Sequence, residues 1–424
     1  MRSIIDEITF FPPHNKQILV NWINSVTQDW PISRRRFYGT EIPLWYCKKC
    51  NETIVPSPGP YYQPWKDPPP EKKCPSCGTT KGFEGETRTM DTWMDSSISP
   101  LITIFYTKDD ELFHKLFPAS IRPQGKDIVR TWLYYSVLRI YQLFEAPAFR
   151  YAWISGMGLD ENGEKMSKSR GNIVDPNPLL EKYGADAIRL WGALEASLGS
   201  DFRFSEDRVA GTYRFLTKLW NISRFISGFP QPEDPRDALQ PADHWILSEL
   251  NQIITQAKKG YDQLDFIIPA RELRTFTWDT FASHYLELVK GRAYGKEDTP
   301  ARTAAWYTLH TVLQSILKFL APICPYITEK IHRELYDSTK SIHKHLFPEH
   351  IEGITEAHPT ELLTRFNATI WKHKKDHKMS LRATLPIVTA PKRLKPYAED
   401  LKQMHNIEQL SFHSKDNTQI SPPK

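Results

Sequence analysis

Residues 164–172 read Glu-Lys-Met-Ser-Lys-Ser-Arg-Gly-Asn, and this stretch decides which fold the chain is expected to adopt. Lys165 and Lys168 stand three positions apart in a loop that also carries serines and a glycine. An apolar strand-like run precedes the loop at residues 148–155, and a helix is predicted to begin at Asp175. Mobile lysines beside backbone amides suit a triphosphate whose charge shifts during phosphoryl or nucleotidyl transfer, although most lysine-rich loops are simply solvated.

The composition is typical of a soluble globular protein, with 424 residues, 40% hydrophobic and 25% charged. That length predicts roughly two to four domains. No run of about 18 apolar residues occurs, and the first residues lack the apolar core of a signal peptide. The sequence therefore predicts a cytoplasmic location with no membrane partner. The net charge of +5 permits an anionic partner without requiring one.

Four of the five cysteines form two Cys-x-x-Cys pairs, Cys47 with Cys50 and Cys74 with Cys77. Each pair can present two thiolates to one tetrahedral ion, which predicts a single structural Zn²⁺ with no open position for a substrate. Two disulfides are the alternative, but nothing else in the sequence points to secretion. Cys324 lies beside prolines in an apolar stretch and is predicted to be a buried core thiol.

From residue 206 the pattern changes to long amphipathic helices, about five of which form a predicted bundle. Aromatic residues at helical spacing are interpreted as its core: Trp220, Phe276, Trp278, Phe281, Tyr285 and Trp306. Residues 365–395 hold nine Lys or Arg and one acidic residue, Asp376. A solvated surface and a contact with RNA phosphates are equal alternatives for this segment. The polar residues after Ser414 are predicted to be disordered.

Residues 164–172 resemble the Lys-Met-Ser-Lys-Ser loop of the class I aminoacyl-tRNA synthetases. Further stretches resemble the valyl-tRNA synthetases, particularly their archaeal form. These are residues 29–43, 91–97 (Asp-Thr-Trp-Met-Asp-Ser-Ser), 125–132 (Gly-Lys-Asp-Ile-Val-Arg-Thr-Trp) and 211–225, which contain Lys-Leu-Trp-Asn. The similarity runs from about residue 8 to residue 412. Pro31, Arg35 and Met94 depart from the family pattern, which has Cys, Gln and Phe at these positions.

The resemblance implies a role for each stretch. The catalytic residues would be Lys165, Ser167, Lys168 and Ser169. ATP, with Mg²⁺, would be bound by Gly125, Asp127, Lys165, Met166 and Lys168. Asp127 would accept the ribose hydroxyls, although an aspartate there can instead cap the next helix. An apolar slot for L-valine would be lined by Trp93, Ile128 and Trp132. Isoleucyl enzymes typically have Gln where this chain has Ile128, which favours valine.

The implied fold is α/β followed by all-α. It consists of the second half of a class I Rossmann-type catalytic domain with a zinc knob, followed by a helical-bundle anticodon-binding domain. The predicted boundaries assign residues 1–46 to a return segment and the start of the second catalytic half, and residues 47–80 to the zinc knob. Residues 81–205 complete that half with the lysine loop, residues 206–346 form the anticodon-binding bundle, and residues 347–424 form a small basic C-terminal region with a disordered tail.

Two features of a complete class I synthetase are not found in this sequence, the His-x-Gly-His motif and a hydrolytic editing domain. The resemblance therefore implies the C-terminal part of a valine–tRNA ligase. It would help to activate valine with ATP and transfer it to tRNA(Val), with an N-terminal half supplied in trans. A non-catalytic tRNA-binding synthetase paralogue and an isoleucine-specific ligase fragment are the alternatives. A sheet divided in this way is expected to expose an unpaired strand edge and a broad apolar face.

Overall fold

The computed structural model describes residues 2–59, 61–354 and 358–420. The chain forms two compact units, Met1–Met157 with Leu198–Asp201, and Gly158–Ser197 with Phe202–Lys424. The predicted domain boundaries are finer than this division and stay predictions. Within the described ranges, no helix combines the length and the apolar character needed to cross a membrane.

The first unit combines short helices with short strands. Its α-helices are α1 (Arg2–Asp6), α2 (Lys16–Ser25), α3 (Thr92–Ser97), α4 (Ser99–Thr103), α5 (Asp110–Leu116) and α6 (Tyr134–Phe144). Its strands are β1 (Thr9–Phe11), β2 (Ser33–Arg34), β3 (Trp45–Cys47), β4 (Thr53–Ile54), β5 (Phe83–Gly85), β6 (Thr89–Met90), β7 (Ala119–Gly125) and β8 (Phe149–Ser155).

The central sheet of this unit is parallel, with strand order β1-β8-β7. One face is packed: Ala152 and Ile154 of β8 belong to a buried cluster that also contains Leu19, Leu133 and Val137. Helices α2 and α6 therefore supply the cover of this face. Because the C-terminal ends of parallel strands lie at one edge, the turn after β7 stands where α/β proteins usually bind ligands.

The opposite face of the same sheet carries exposed apolar side chains. Ile121 of β7 and Tyr151 of β8 are register partners, and they are 40% and 41% exposed. The ring of Phe11 lies 5.8 Å from the ring of Tyr151. Parallel sheets are normally covered on both faces. In the part of the chain that the structure describes, no strand pairs with the outer edge of β1 or β7. The expected open edge is therefore present, and the exposed apolar side chains on this face are Ile121 and Tyr151.

The chain enters α6 through two irregular turns. The sequence predicts one helix over residues 129–144, but the structure has a 3₁₀ turn at Lys126–Ile128 and a π-helical turn at Val129–Leu133 before α6 begins. A second π-helical stretch, Phe276–Tyr285, interrupts the single helix predicted over residues 269–289. A π turn has i→i+5 hydrogen bonds and frequently occurs at functional sites.

The second unit is mostly helical. Its α-helices are α7 (Pro176–Tyr183), α8 (Ala185–Glu195), α9 (Glu206–Ile226), α10 (Pro241–Asp262), α11 (Ile267–Thr275), α12 (Leu286–Ala293), α13 (Pro300–Leu320), α14 (Pro325–Leu335), α15 (Thr360–Asp376) and α16 (Ala398–His405). Its strands are β9 (Gly158–Leu159), β10 (Phe202–Arg203), β11 (Leu385–Pro391), β12 (Ile407–His413) and β13 (Gln419–Ile420).

Helices α8 to α15 enclose one continuous apolar core. Of the aromatic residues predicted to form it, Phe276, Phe281 and Tyr285 are buried. The remaining three, Trp220, Trp278 and Trp306, are partly buried and pack against the same core. Cys324 is also buried in it. The predictions of an aromatic core and of a buried thiol are therefore confirmed.

A small mixed sheet follows the bundle, with strand order β12-β11-β13. Strand β11 pairs in parallel with β12 and antiparallel with β13. The sequence predicts disorder after Ser414, but Gln419 and Ile420 pair with Thr389 and Val388, so that expectation is wrong for these residues. The short apolar run Leu385–Pro391 offers a central strand with which they pair. Residues 421–424, the rest of the predicted tail, lie outside the described residues.

Candidate functional site

The lysine loop begins directly after β9 and is shaped by a buried carboxylate. Asp160 is 8% exposed. Its Oδ1 accepts the backbone N–H groups of Asn162 at 3.0 Å and Glu164 at 2.8 Å, and its Oδ2 accepts the Asn172 amide at 2.8 Å. The Asn172 hydrogen bond, followed by that of the Glu164 N–H, holds the pKa of Asp160 below its usual value. The first turn of the loop is therefore organised around the Asp160 carboxylate.

Asn172 closes the other end of the loop. Its Oδ1 accepts the Ser167 N–H at 2.9 Å, and its Nδ2 lies 3.3 Å from the Lys165 carbonyl oxygen. Gly171 has φ +67°, a conformation that glycine adopts without strain. Asp160 and Asn172 thus hold both ends of the segment that contains the signature lysines. The sequence predicts a turn at residues 160–163, and the Gly163 N–H donates to the Asp160 carbonyl oxygen at 3.0 Å. It does not predict that the Asp160 and Asn172 side chains brace the loop.

Lys165 and Lys168 are exposed on this constrained loop. Neither amino group forms an ion pair with any residue that the structure describes, whereas Arg170 pairs with Glu164 at 2.8 Å. The Ser167 and Ser169 hydroxyl oxygens lie 3.3 Å apart. A fixed backbone with unpaired ammonium groups can bind a multiply charged anion without first breaking internal ion pairs.

The turn after β7 contains Gly125 and Asp127. A Cβ atom at position 125 would lie 2.7 Å from Asp127 Oδ1, so the glycine allows the carboxylate to approach the backbone. Asp127 is exposed, and the turns at Lys126–Ile128 and Val129–Leu133 have no side-chain cap. The capping role that the sequence left open is therefore not the one Asp127 performs. Its carboxylate is free to accept hydrogen bonds from a ligand.

The residues predicted to line the amino-acid slot are all half-buried. Trp93 lies on α3, and its backbone N–H is capped by Asp91 Oδ1 at 2.9 Å. Trp132 lies in the π-helical turn, and its indole N–H donates to the carbonyl oxygen of Ser96 at 3.1 Å. This bond ties the turn that follows Ile128 to the helix that carries Trp93.

The four paired cysteines come together as a group. The Sγ atoms of Cys47 and Cys77 are 3.7 Å apart, those of Cys50 and Cys74 are 3.5 Å apart, and all four lie within 4.8 Å of one another. A tetrahedral zinc site with bonds of about 2.3 Å requires sulfur separations of about 3.8 Å. A disulfide would need about 2.05 Å, and all four cysteines are free thiols. The alternative of two disulfides is therefore wrong.

Local backbone geometry presents each thiol pair. The N–H of Asn51 donates to the Cys47 carbonyl oxygen at 2.8 Å, and the N–H of Gly78 donates to that of Cys74 at 3.0 Å. Asn51 and Gly78 both have positive φ, at 59° and 71°. The N–H of Cys77, followed by that of Ser76, lowers the pKa of Cys74 to about 7. At Cys74 the turn therefore favours the thiolate, which is the form that binds a metal ion.

A basic cavity of about 990 Å³ lies in the second unit between α9, the π-helical stretch and α15. Its cationic lining residues are Lys218, Lys372, Lys375 and Lys378. Trp371 also lines it, and its ring stacks on His284 with centroids 5.4 Å apart. Of its two acidic residues, Glu287 is already paired with Lys290 at 2.5 Å, which leaves Asp376. The lining therefore combines an excess of positive charge with an aromatic surface, a combination that suits single-stranded nucleic acid.

Sequence comparison gives family matches in both units. Residues 1–205 match the model for tRNA synthetases class I (I, L, M and V), and residues 243–389 match the anticodon-binding domain of tRNA ligase. Valine–tRNA ligases of Aeropyrum pernix and Pyrobaculum aerophilum are each 43% identical over 94% and 96% of this chain. These matches cover 50% and 51% of the relatives, so the chain spans about half their length.

Solved structures share the fold. The LeuRS–tRNA–LeuAMS ternary complex of Agrobacterium radiobacter K84 has a TM-score of 0.59 at 21% identity, over 78% of this chain and 43% of that one. Mycobacterium tuberculosis methionyl-tRNA synthetase with methionyl-adenylate has a TM-score of 0.57 at 20% identity, over 77% and 58%. The predicted fold, a class I catalytic part followed by an anticodon-binding part, is confirmed.

Proposed function

Since the chain belongs to the class I tRNA synthetase family, we propose that it is the C-terminal part of a valine–tRNA ligase. The observation that carries this proposal is the identity of 43% to valine–tRNA ligases along 94% of the chain. An exposed pair of lysines on an internally braced loop supports it. In the first step the valine carboxylate would bond to the α-phosphorus of ATP, giving valyl-adenylate and releasing pyrophosphate. In the second step a hydroxyl of tRNA(Val) would accept the valyl group, and AMP would leave.

Lys165 and Lys168 would act on the pyrophosphate that leaves during adenylate formation. Their ammonium groups would bind the phosphate oxygens on which negative charge accumulates, while Mg²⁺ accompanies ATP. Ser167 and Ser169 would offer hydroxyl donors, and Met166 would adjoin the bound nucleotide. The hydrogen bonds of Asp160 and Asn172 would hold the loop backbone in place, so that less order is lost when the anion binds.

Gly125 and Asp127 would bind the adenosine ribose, with the Asp127 carboxylate accepting its hydroxyl hydrogen atoms. Trp93, Ile128 and Trp132 would enclose the valine side chain. A larger isoleucine would be rejected by its size. An apolar slot rejects a missing methylene by only about 1–3 kcal/mol, so smaller amino acids would be discriminated weakly here.

We further propose that the open face of the β1-β8-β7 sheet is covered by the other half of the catalytic domain. Ile121 and Tyr151 are the apolar side chains that this segment would bury. The chain spans about half of its relatives, and the segment would correspond to their remaining half, with the His-x-Gly-His motif. Supply of that segment as a separate polypeptide is part of the proposal.

We assign one structural Zn²⁺ to Cys47, Cys50, Cys74 and Cys77. The sulfur separations of 3.5 and 3.7 Å support tetrahedral coordination. Four thiolates leave no position for a substrate, so the ion would stabilise the knob and take no part in the reaction.

The basic cavity beside Trp371 would contact the tRNA anticodon arm. Lys372, Lys375 and Lys378 are exposed and would neutralise phosphates, while the indole of Trp371 would stack on an unpaired base. Lys374, in the same segment, is buried and donates to the carbonyl oxygens of Leu381 and His405, both at 2.8 Å. The basic stretch that sequence analysis left open thus contains both structural and solvent-facing charges.

Valine-dependent ATP–pyrophosphate exchange tests the catalytic proposal. The chain is assayed alone and mixed with the N-terminal half of the Aeropyrum pernix relative. Exchange in the mixture is expected. Exchange driven by isoleucine in place of valine would contradict the assigned specificity. No exchange in any mixture, with tRNA binding retained, would instead favour the alternative of a non-catalytic tRNA-binding paralogue.

Lys168→Ala separates a catalytic lysine from a surface lysine. We expect a loss of about 100-fold or more in the exchange rate, as for removal of other groups that stabilise transition-state charge. The matched control is Lys330→Ala on α14, an exposed residue that pairs with Glu334 at 2.7 Å. An equal loss in both variants would show that the lysine loop has no special role.

Salt-dependent binding of an anticodon stem-loop RNA tests the basic cavity. The double variant Lys372→Ala/Lys375→Ala should lower the slope of log K against log salt by about 0.7–0.9 per lost phosphate contact. Lys258→Ala/Lys259→Ala on α10 removes two exposed charges elsewhere on the same unit and serves as the control. Equal slopes for the two double variants would contradict a specific role for the cavity.

A further inference from the structure

Arg122 of β7 is buried without an acidic partner. It is 6% exposed and faces the packed side of the sheet, as the register partner of Ala152. Among the described residues, no carboxylate lies within ion-pair distance of its guanidinium, and its Nε has no hydrogen-bond partner. Buried arginines are normally paired. Some other interaction must therefore explain its position.

The partner of Arg122 is an aromatic ring. Its Cζ lies 3.5 Å from the centroid of Trp132 and 5.9 Å from that of Phe149. Nη2 donates to Ser136 Oγ at 3.0 Å, which fixes the guanidinium from the side. Burial lowers the pKa of Arg122 to about 10, so the group remains cationic at neutral pH. A charged planar group over an indole face is a favourable cation–π contact, and it is stronger when water is excluded.

Trp132 is held at two further points. Its indole N–H donates to the carbonyl oxygen of Ser96 at 3.1 Å, and its own carbonyl oxygen accepts the Ser136 hydroxyl at 2.6 Å. Ser136 thus bonds both to the guanidinium and to the backbone beneath the indole. The hydrogen bond to Ser96 fixes the N–H edge of the Trp132 indole, and the Arg122 guanidinium covers one of its faces. The other face of the Trp132 indole, and the edge away from its N–H, are not occupied by these two contacts.

We propose that Arg122 is a positioning residue that fixes the Trp132 wall of the amino-acid slot. The inference rests on the proposed function, in which Trp132 lines the slot for valine. Because the guanidinium covers one face of the indole, the ring cannot tilt toward β7 and enlarge the slot. A slot that discriminates by a single methylene needs walls that do not move. Arg122 would act on selectivity through Trp132 and would not touch the substrate.

The test is amino-acid-dependent ATP–pyrophosphate exchange by the chain completed with an N-terminal half. Arg122→Met keeps the length of the side chain and removes the cation. We expect the KM for valine to rise about tenfold, the middle of the range for a buried cation–π contact. The KM for ATP should not change, and the preference for valine over isoleucine should fall. Arg122→Lys keeps the positive charge but lacks the planar guanidinium. It should therefore raise the KM for valine less than Arg122→Met does.

Double variants distinguish positioning of Trp132 from a general structural role. In a Trp132→Phe background, Arg122→Met should change the KM for valine much less than in the parent, because the two residues act through one contact. Additive effects would overturn the proposal. So would a change that affects the KM for ATP and the KM for valine equally.

Near-ultraviolet circular dichroism of the chain alone provides a second readout. Arg122→Met should alter the tryptophan bands, and this change should be absent in the Trp132→Phe background. If Arg122→Met does not fold, Ser136→Ala loosens the guanidinium and leaves its charge. It should give a smaller change in the same bands, and an unchanged spectrum would contradict the contact. The two readouts can also disagree. If the spectral change depends on Trp132 but no mixture shows ATP–pyrophosphate exchange, the proposed function is refuted and the contact between Arg122 and Trp132 still stands.

Discussion

The two units differ in how completely they bury their apolar surface. The helical unit encloses its own core, and residues such as Phe281 and Leu313 are fully buried by neighbours within that unit. In the first unit, one face of the parallel sheet packs on helices, whereas Ile121 and Tyr151 on the other face are exposed. A self-contained helical core is compatible with independent stability, whereas a half-covered parallel sheet is typical of a surface that requires a partner.

The same contrast appears in the buried arginines. In the helical unit, Arg292 pairs with Asp243 at 2.9 Å and with Asp400 at 2.8 Å. Burial lowers its pKa, but these two carboxylates outweigh that effect and raise it above the usual value. In the first unit, Arg122 has aromatic and hydroxyl neighbours, and burial lowers its pKa. Arg292 is paired with two carboxylates in a network that ties α10, α12 and α16 together. Arg122 has no ionic partner among the described residues and lies beside a candidate substrate slot.

Metal removal should produce the largest difference between the units. Structural zinc sites bind with about 10–16 kcal/mol in small peptides, and such peptides unfold without the ion. We therefore expect Cys74→Ser to abolish stoichiometric zinc binding and to expose residues 48–82 to proteolysis. The unfolding transition of the helical unit should stay where it is. Metal analysis and limited proteolysis measure these outcomes, and Cys324→Ser is the control because that thiol lies outside the cluster. Retention of zinc by Cys74→Ser would contradict the assignment.

Truncation of an apolar side chain should have very different costs in the two units. Phe281→Ala in the bundle core should lower the free energy of unfolding by about 3–5 kcal/mol. Ile121→Ala on the open face of the sheet should cost about 0.5 kcal/mol or less in the isolated chain. Urea denaturation measures both. If both substitutions lowered the free energy of unfolding by similar amounts, Ile121 would already be buried in the isolated chain, and the two units would not differ in this respect.

Loss of a buried arginine should also differ between the units. Arg292→Met leaves Asp243 and Asp400 buried without a countercharge, and removal of one partner from such a network costs about 3–5 kcal/mol. Arg122→Met leaves no acid unpaired and removes a contact worth about 0.5–2 kcal/mol. Urea titrations of the two variants give the comparison directly. A larger loss for Arg122→Met would show that its role is mainly structural.

The dependence of stability on pH provides a further test within the helical unit. Burial, followed by the charges of Lys374 and His284, lowers the pKa of His405 to about 3. Because the unfolded value is about 6.5, the unfolded chain binds the proton more readily, and stability falls as the pH drops below about 6.5. At pH 5 this residue should account for about 2 kcal/mol of lost stability. Between pH 7 and pH 5, the free energy of unfolding of His405→Gln should therefore fall by about 2 kcal/mol less than that of the parent chain. Urea denaturation at the two pH values measures this difference. Identical pH profiles would exclude His405 as the cause.

The sequence predicted most of the architecture because its strongest signals are local. The paired cysteines, the bundle helices and their aromatic core follow from spacing and periodicity alone. The π-helical turns at Val129–Leu133 and Phe276–Tyr285 were not predicted, since a pattern of apolar residues does not distinguish i→i+5 from i→i+4 hydrogen bonding. Strand β13 was missed because two residues of a polar tail have no pattern, and only β11 beside them makes a strand.

The candidate site was predicted less completely than the fold. The lysines, Asp127 and the slot residues came from motifs, and their roles stay predictions. Asp160, Asn172 and Arg122 were assigned no role, since each acts through contacts that join residues distant in sequence or in different elements. Asp160 meets Asn172 across a loop, and Arg122 meets Trp132 across a strand and a turn. Side-chain partners of this kind are visible only once the backbone is folded.

The zinc knob leaves and re-enters the first unit at almost the same place. Trp45 is paired with Gly85, and the Lys48 N–H donates to the Gly82 carbonyl oxygen at 2.8 Å, so the two ends of the excursion lie one strand spacing apart. A short hairpin turn could span this distance. The segment between the two ends also packs on the strands that it joins, since the indole N–H of the buried Trp45 donates to the Asp67 carbonyl oxygen at 2.8 Å and its ring lies 5.9 Å from that of Tyr62. A different metal-binding sequence exchanged for residues 48–82 would therefore have to supply a new cover for Trp45.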